Sequence, residues 1–346
     1  MEVQPQVPTI SLAPFFEAQA QLGAEFEDPL AGPAVGEEHP ALGALRELVA
    51  AVRTACEEVG FFTIIDHGVD KGLLKKQHQE CKSFFHRPPQ STIVGMVANS
   101  SSRFAWLDYV PSKGAQNEAV EGEFSLGPVD GRNSMPWRPD TKDLSDTWST
   151  YYTAITQVVR VLMRLFALAL DLRLTSFDEA LEDHRSALRA VFYPEISEEQ
   201  LDSAGGTIDR SPEHTDWGCV TVLQADDAVA GLEIRHRDGS WLPLPPVDGG
   251  LVVNLGDLLP FWTQRRWVGT PHRVVARNDG SRSQRLSIPY FGLVNRSTVL
   301  RPLLPEKDLD ANDDRPSLPE ISAGEFFDHH EDYAKRVKTN SCSQPV

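Results

Sequence analysis

The spacing of hydrophobic residues changes about half-way along the chain. In the first half, apolar residues recur at helical spacing in ALGALRELVAAVRTACEEVG (41–60), from about Gly72 to Phe85, and from Leu144 to Leu172. These segments predict three helices, and Gly60 is a good C-terminal cap for the first. The short apolar run FFTIID (61–66) predicts a strand between the first two helices.

From Leu188 onwards, short apolar and β-branched runs alternate with turn signals. The runs that predict strands are LRAVFYP, CVTVLQ, GLEIRH, WLPLP, LVVNLG, HRVVAR and RLSIPYFG. Asp238-Gly239 predicts a hairpin turn between the third and fourth of them. Regularly spaced short strands are typical of a β-sandwich or barrel, so we expect helices first and a core of two sheets after them.

Four other stretches complete the pattern. The segment from Ala18 to Pro40 is rich in Gly, Pro, Ala and acidic residues, which predicts an exposed loop. Asn99 to Pro139 is polar and irregular, and it also predicts a loop. AGEFFDHHEDYAKRV, near the C-terminal end, predicts a helix, and the NLGD segment (254–257) predicts a structural turn.

Net charge, the most apolar segment and the cysteine content limit the possible partners and the cellular compartment. The 346-residue chain has a net charge of −17, which argues against a nucleic-acid partner or an anionic membrane surface. VVRVLMRLFALALDL is short and interrupted by Arg160 and Arg164, so it predicts a buried core helix and no membrane span. Four scattered cysteines suit a reducing compartment, and no secretory or transit signal is visible. We therefore expect a cytoplasmic protein.

One His-x-acid pair is suited to metal binding. Five such pairs occur: His78/Glu80, His214/Asp216, His236/Asp238, His329/Glu331 and His330/Asp332. Residues i and i+2 share a face only on extended chain, and three of the pairs lie in predicted helices while a fourth leads into the hairpin turn. His214/Asp216 precedes the strand CVTVLQ, so we expect both side chains on one face at a strand start. If the His214/Asp216 pair is considered without other motifs, the alternative to metal binding is that its polar side chains cap the end of a strand.

Two further strands supply complementary groups. His272 begins the strand in GTPHRVVARN, and two His with one carboxylate form the ligand set of non-haem Fe(II) oxygenases. Arg285 and Ser287, in SQRLSIPYFG, share one strand face. A guanidinium beside a hydroxyl suits a carboxylate, because the pairing is bidentate and charge-assisted. The alternative for Arg285 is a surface ion pair.

In their order along the chain, these motifs resemble a known family. EHTDWGCVTVLQAD, GLEI, WLPLPP, LVVNLGDLL, TPHRVV and RLSIPYF look like the core of the Fe(II)/2-oxoglutarate-dependent dioxygenases, isopenicillin N synthase-like branch. VPTISLAPF and GFFTIIDHGV resemble the N-terminal region of that branch. The resemblance covers roughly residues 7 to 295.

The resemblance implies a mainly β fold with flanking helices, a double-stranded β-helix or jelly roll. It implies one oxygenase domain over 1–346, with an N-terminal helical and loop region (7–175), a jelly-roll core (188–300) and a C-terminal extension (301–346). His214, Asp216 and His272 match the iron ligands. Arg285 and Ser287 match the pair that binds the distal carboxylate of 2-oxoglutarate, and Tyr193 matches a tyrosine that assists them. Many plant members have Asn at the position of Val191.

The implied activity is oxidation of a small-molecule substrate by hydroxylation, desaturation or ring closure. Fe(II) is the cofactor, 2-oxoglutarate and dioxygen (O2) are co-substrates, and 2-oxoglutarate is decarboxylated to succinate. The alternatives are an Fe(II) oxidase of the same fold that uses no 2-oxoglutarate and a non-catalytic jelly-roll binding module. A hydrolytic zinc enzyme is a weaker alternative.

Substrate specificity on such a scaffold is expected to come from loops. The best candidate is the irregular stretch from Ser101 to Phe124, and its candidate substrate residues are Arg103, Phe104, Trp106 and Tyr109. Aromatic side chains there can cover an apolar body, and a cation can bind a carboxylate or phosphate. The alternative is that the stretch closes the barrel and packs its aromatic residues inward.

Overall fold

The structure is a computed structural model that describes residues 7–23, 26, 30, 40–86, 105–106, 122–126, 142–226, 230–303 and 317–338. Eight α-helices lie within these residues: α1 Ala13–Leu22, α2 Pro40–Glu58, α3 Lys71–Phe85, α4 Lys142–Ala169, α5 Glu198–Ser203, α6 Leu258–Trp262, α7 Ala323–Asp328 and α8 His330–Lys338. The three long predicted helices are confirmed as α2, α3 and α4.

The strands of the described residues, in chain order, are β1 Thr9–Ser11, β2 Phe61–Ile65, β3 Ala105–Trp106, β4 Gly122–Leu126, β5 Ala187–Tyr193, β6 Thr207–His214, β7 Val220–Ala225, β8 Leu232–Arg235, β9 Trp241–Pro243, β10 Leu251–Leu255, β11 His272–Arg277, β12 Arg285–Gly292, β13 Val299–Leu300 and β14 Ile321–Ser322. The seven strands predicted after Leu188 are confirmed as β5 and β7 to β12. Asp238-Gly239 lies in the β8–β9 hairpin, where Gly239 has φ +85°.

Two of the loop predictions were wrong in part. Ala18 to Leu22 belongs to α1, and Ala18 is fully buried because it packs on the helical core. The stretch 99–139 contributes β3 and β4, and β4 pairs with β5 along its whole length. Backbone pairing with an existing sheet edge therefore gives regular structure to a segment without an apolar pattern.

The strands form two main sheets. The large sheet has the order β1-β2-β10-β7-β12-β5-β4-β3, and the small sheet has the order β6-β11-β8-β9. A small apolar cluster joins them: Phe61 and Val252 of the large sheet pack with Leu232, Ile234 and Val274 of the small sheet. The two sheets therefore face each other, as a jelly roll requires.

The helices cover the opposite face of the large sheet. On β12, Leu286, Ile288 and Tyr290 belong to the main core, together with residues of α2 and α4 such as Leu45 and Trp148. Because side chains alternate along a strand, Arg285 and Ser287 face the space between the sheets. This alternation explains how two polar residues lie on an otherwise buried strand.

Helix α4 is the central element of that core. By length and composition it could cross a membrane, but 61% of its most apolar window is buried inside the protein. Trp148, Tyr151 and Ile155 are fully buried along one face. The burial agrees with the prediction of a core helix.

Candidate active site

Three potential metal ligands meet where the small sheet turns into the large sheet. His214 is the last residue of β6, and His272 is the first residue of β11. The two strands pair with His214 opposite His272, which brings the rings to a centroid distance of 4.3 Å. Asp216 lies in the turn between β6 and β7. The expectation that His214 and Asp216 begin one strand was wrong: His214 ends β6, and Asp216 lies in the connection to β7.

The ligand atoms of these residues converge. Asp216 Oδ1 lies 3.8 Å from His214 Nε2 and 3.9 Å from His272 Nε2, and the three ligand atoms lie within 4.8 Å of one another. Asp216 and His272 are buried, whereas the His214 side chain is 43% exposed. Among the described residues, this is the only such group of three or more His, Cys, Asp or Glu.

Backbone carbonyls orient both imidazoles. His214 Nδ1 donates to Pro212 O at 2.7 Å, and His272 Nδ1 donates to Thr270 O at 3.2 Å. A carbonyl only accepts, so Nδ1 carries a proton in both rings, and Nε2 is the nitrogen that faces the centre. Burial lowers the pKa of His272, which favours the neutral form that binds a metal.

Asp216 is held as a carboxylate by groups on two strands. Its Oδ2 accepts hydrogen bonds from Thr221 Oγ1 at 2.5 Å and Asn254 Nδ2 at 2.7 Å. Burial alone would raise the pKa of Asp216, but His272 and these hydrogen bonds outweigh it, so the pKa lies below its usual value. Oδ2 is thereby engaged and Oδ1 faces the two imidazoles. The prediction that Asn254 belongs to a structural turn was wrong, because it lies in β10.

Further contacts hold the turn that follows His214 and carries Asp216. The Asp257 backbone N–H donates to Asp216 O at 2.7 Å, and Asp257 Oδ2 accepts from Thr215 Oγ1 at 2.8 Å. His330, at the start of α8, lies with Nε2 3.0 Å from the same Asp257 oxygen. The Trp217 ring stacks on the His330 ring at 4.6 Å. No sequence pattern indicated the contact between His330 and Asp257, because 73 positions separate them.

A buried cation lies in the large sheet. Arg285 is 2% exposed, its Nε donates to Ser287 Oγ at 3.3 Å, and its Nη1 donates to Ala230 O at 3.2 Å. Tyr193 is the register partner of Arg285 on β5, and Ser287 pairs with Val191 in the same way. Burial lowers the pKa of Arg285, while Tyr193 and Asp226 act in the opposite direction. The structure thus brings Arg285, Ser287 and Tyr193 together, and the surface ion pair is excluded for Arg285.

Arg210 is a second buried arginine, and no sequence pattern pointed to it. It lies on β6, four positions before His214, and it is 1% exposed. The strand TIDRSPEH has no apolar run and contains a proline, so it carries no strand pattern. An arginine in a polar segment is ordinarily a solvated surface group.

The predicted substrate residues are placed only in part. Arg103, Phe104 and Tyr109 lie outside the described residues. Trp106 lies in β3, where it pairs with Ser125 of β4. Their role in substrate binding stays a prediction.

Comparison with known proteins agrees with this geometry. Residues 185–293 match the 2OG-Fe(II) oxygenase superfamily, and residues 38–100 match the family described as non-haem dioxygenase in morphine synthesis N-terminal. The 2-oxoglutarate-Fe(II) type oxidoreductase hxnY of Emericella nidulans is 31% identical over 263 residues, which are 71% of this chain and 73% of hxnY. This chain belongs to the 2OG-Fe(II) oxygenase superfamily.

Two other proteins similar to this oxygenase extend the comparison. Homoarginine-6-hydroxylase 2-ODD-C23.2 of Arabidopsis thaliana is 26% identical over 271 residues, covering 74% of this chain and 72% of the hydroxylase. The crystal structure of a full-length Neurospora crassa protein in complex with alpha-KG and 5-formyluracil superposes with a TM-score of 0.75 over 98% of each chain, at 21% identity. That structure confirms the fold, a mainly β core with flanking helices.

The oxygenase is thus an oxidoreductase, a 2-oxoglutarate-dependent dioxygenase with Fe(II) as its cofactor. The donor set fits the metal, because two imidazoles and one carboxylate would hold an ion from one side and leave the opposite side open for other ligands. The buried guanidinium fits a dicarboxylate co-substrate. Val191, where many plant members have Asn, puts an apolar side chain opposite Ser287, so no amide is available at that position.

Proposed function

We propose that His214, Asp216 and His272 are the Fe(II) ligands of this oxygenase. The observation that carries the assignment is the convergence of two Nε2 atoms and one carboxylate oxygen, each oriented by a hydrogen bond on its far side. Partners of this kind fix the ring and carboxylate orientation before the metal binds. Iron supplies the activation of dioxygen, and the chain supplies the fixed ligands.

We also propose that Arg285 binds the distal carboxylate of 2-oxoglutarate, with Ser287 and Tyr193 beside it. Arg285 is buried between the sheets, where a guanidinium binds a carboxylate more strongly than it does in water. The buried guanidinium supports the 2-oxoglutarate-dependent reaction. Succinate formation, and not Arg285 alone, distinguishes that reaction from the oxidase.

The substrate proposed for this chain is a small organic molecule. The relative named homoarginine-6-hydroxylase supports this class, because its name gives a small amino acid as substrate. We propose that the substrate binds beside the open face of the ligand triad and that Arg103, Phe104, Trp106 and Tyr109 contribute to its recognition. The reaction is hydroxylation, desaturation or ring closure at a C–H bond near the metal.

Succinate formation tests the co-substrate assignment. Oxygen uptake and succinate are measured with Fe(II) and 2-oxoglutarate against a collection of small metabolites, for the wild type and for Arg285→Gln. The proposal predicts substrate-stimulated succinate in the wild type and a strongly raised 2-oxoglutarate requirement in the variant. Arg282→Gln, which removes a half-buried arginine just before the same strand, is the control. Product formation without succinate would favour the oxidase.

We propose a cytoplasmic location for the oxygenase. Cys56, Cys81 and Cys219 are buried free thiols in the structure, which suits a reducing compartment. Cell fractionation with an antibody against the chain tests the location, and recovery in a membrane or secreted fraction would contradict it.

A further inference from the structure

Arg210 joins the two sheets beside the co-substrate anchor. From β6 of the small sheet, its Nη2 donates to Pro194 O and Arg282 O, both at 2.8 Å, and its Nη1 donates to Ser283 O at 2.8 Å. The three acceptors are backbone carbonyls, so Arg210 neutralises no carboxylate through these bonds. Its guanidinium instead fixes the positions of two chain segments.

Those two segments carry the residues assigned to 2-oxoglutarate. Pro194 directly follows Tyr193 at the end of β5, and Arg282 and Ser283 lie just before Arg285 at the start of β12. Tyr193 and Arg285 are register partners, so both belong to the end of the strand pair that Arg210 holds. A single side chain therefore links both the β5 end and the β12 start to the small sheet by hydrogen bonds.

The charge of Arg210 also acts on this end of the sheets. Burial, followed by the nearby positive charge of Arg285, lowers the pKa of Arg210 to about 10, so the side chain stays protonated at neutral pH. The Nε–H of Arg210 is buried and has no hydrogen-bond partner among the described residues. The Arg210 guanidinium bonds the carbonyls of Ser283 and Arg282, two and three positions before Arg285, so two positive charges lie at one end of the sheets and suit an incoming carboxylate.

We propose that Arg210 is a positioning residue for 2-oxoglutarate: it aims Arg285 and Tyr193 by holding their strand ends, and its charge strengthens the field at the anchor. The inference rests on the proposed function of Arg285. A purely structural role makes a different prediction, because a general loss of packing would weaken all ligands of the site alike.

The test compares two 2-oxo acids that differ only at the far end. 2-Oxobutyrate has the metal-binding 2-oxo acid group but lacks the distal carboxylate. Both are titrated calorimetrically into anaerobic Fe(II) protein, for the wild type, Arg210→Gln, Arg210→Lys and the control Arg282→Gln. We expect Arg210→Gln to weaken 2-oxoglutarate binding about tenfold or more and to leave 2-oxobutyrate binding within about twofold.

Arg210→Lys separates charge from geometry. A lysine keeps the charge but reaches fewer of the three carbonyls, so we expect a smaller loss that is again confined to 2-oxoglutarate. If Arg210→Gln does not fold, Arg210→Lys decides the question. Its loss of affinity for 2-oxoglutarate is then compared with its loss of affinity for 2-oxobutyrate. Arg282→Gln should behave as the wild type, because its side chain pairs with Glu195 and Glu198 and does not contact Arg210 through its guanidinium.

Arg285→Gln in the same assay separates the two claims. If it leaves 2-oxoglutarate binding unchanged, the proposed anchor is wrong, and the inference on Arg210 fails with it. If Arg285→Gln is selective but the Arg210 variants weaken both acids equally, or neither acid, the anchor stands and the positioning role of Arg210 is overturned.

Discussion

His330 Nε2 lies 3.0 Å from Asp257 Oδ2, and this contact connects helix α8 to the turn that carries Thr215 and Asp216, directly after His214. Asp257 in turn contacts both residues that follow His214. Its carboxylate accepts a hydrogen bond from the Thr215 hydroxyl, and its backbone N–H donates to Asp216 O. Both His330 and Asp257 are buried. The C-terminal extension is thus part of the scaffold of the metal site.

Replacing His330 should weaken metal binding as well as stability. His330→Ala leaves a buried carboxylate oxygen with one hydrogen bond fewer and removes the ring on which Trp217 stacks, at a cost of about 1–3 kcal/mol. We expect a lower melting temperature and a weaker Fe(II) affinity measured by competition with a chelator. His329→Ala is the control, because the neighbouring histidine is exposed. If His330→Ala and the control bind Fe(II) with equal affinity, the C-terminal helix α8 does not support the metal site.

The hydrogen bond from Asn254 should set how readily Asp216 takes up a proton. Asn254→Ala removes a donor to the carboxylate, so the pKa of Asp216 rises from its depressed value. Ligands must be deprotonated to bind metal, so Fe(II) release on acidification should begin at a higher pH in the variant. Loss of a partner that orients a metal ligand typically costs about 10–100-fold in affinity. A pH titration of metal binding identical to that of the wild type would contradict the assignment.

A glycine next to the ligand turn should be intolerant of any side chain. A Cβ at Gly256 would lie 2.3 Å from Gly218 O and within 3.0 Å of two other Gly218 backbone atoms, so the turn that follows Asp216 would have to move. We expect Gly256→Ala to lose Fe(II) affinity and to lower the melting temperature. Gly43→Ala is the matched control: it lies in α2 with nothing within 4 Å of its Cβ, so it should gain about 0.5–1 kcal/mol of stability. If Gly256→Ala and Gly43→Ala had equal effects on Fe(II) affinity and melting temperature, the close approach of Gly256 to Gly218 would have no consequence for the site.

The stretch from Ser101 to Phe124 should control how well oxidation is coupled to 2-oxoglutarate consumption. Arg103→Ala or Phe104→Ala should weaken substrate binding or change the products, while Fe(II) and 2-oxoglutarate still bind. A misplaced C–H bond should appear as succinate formed in excess of product. Variants that only lower the melting temperature would assign these residues to packing.

The sequence predicted most of the strands because their apolar and β-branched runs mark burial. It predicted the group of His214, Asp216 and His272, and an inward-facing Arg285, because these residues follow a specific order. It missed β6, which is polar, and with it Arg210, because that strand is defined by pairing with β11 rather than by hydrophobicity. It also missed the roles of Asn254 and His330. Their contacts to Asp216 and Asp257 join residues 38 and 73 positions apart, which no local pattern records.

The central claim is that His214, Asp216 and His272 hold one Fe(II) ion. Its most direct test is the iron stoichiometry of anaerobically reconstituted protein for the wild type, Asp216→Ala and Asp238→Ala. Asp238 belongs to another His-x-Asp pair, in the hairpin turn, where its carboxylate is exposed, and it controls for the loss of one carboxylate. We expect one Fe(II) per chain in the wild type and in Asp238→Ala, and loss of tight binding and of turnover in a folded Asp216→Ala protein. Normal Fe(II) affinity and activity in Asp216→Ala would contradict the account.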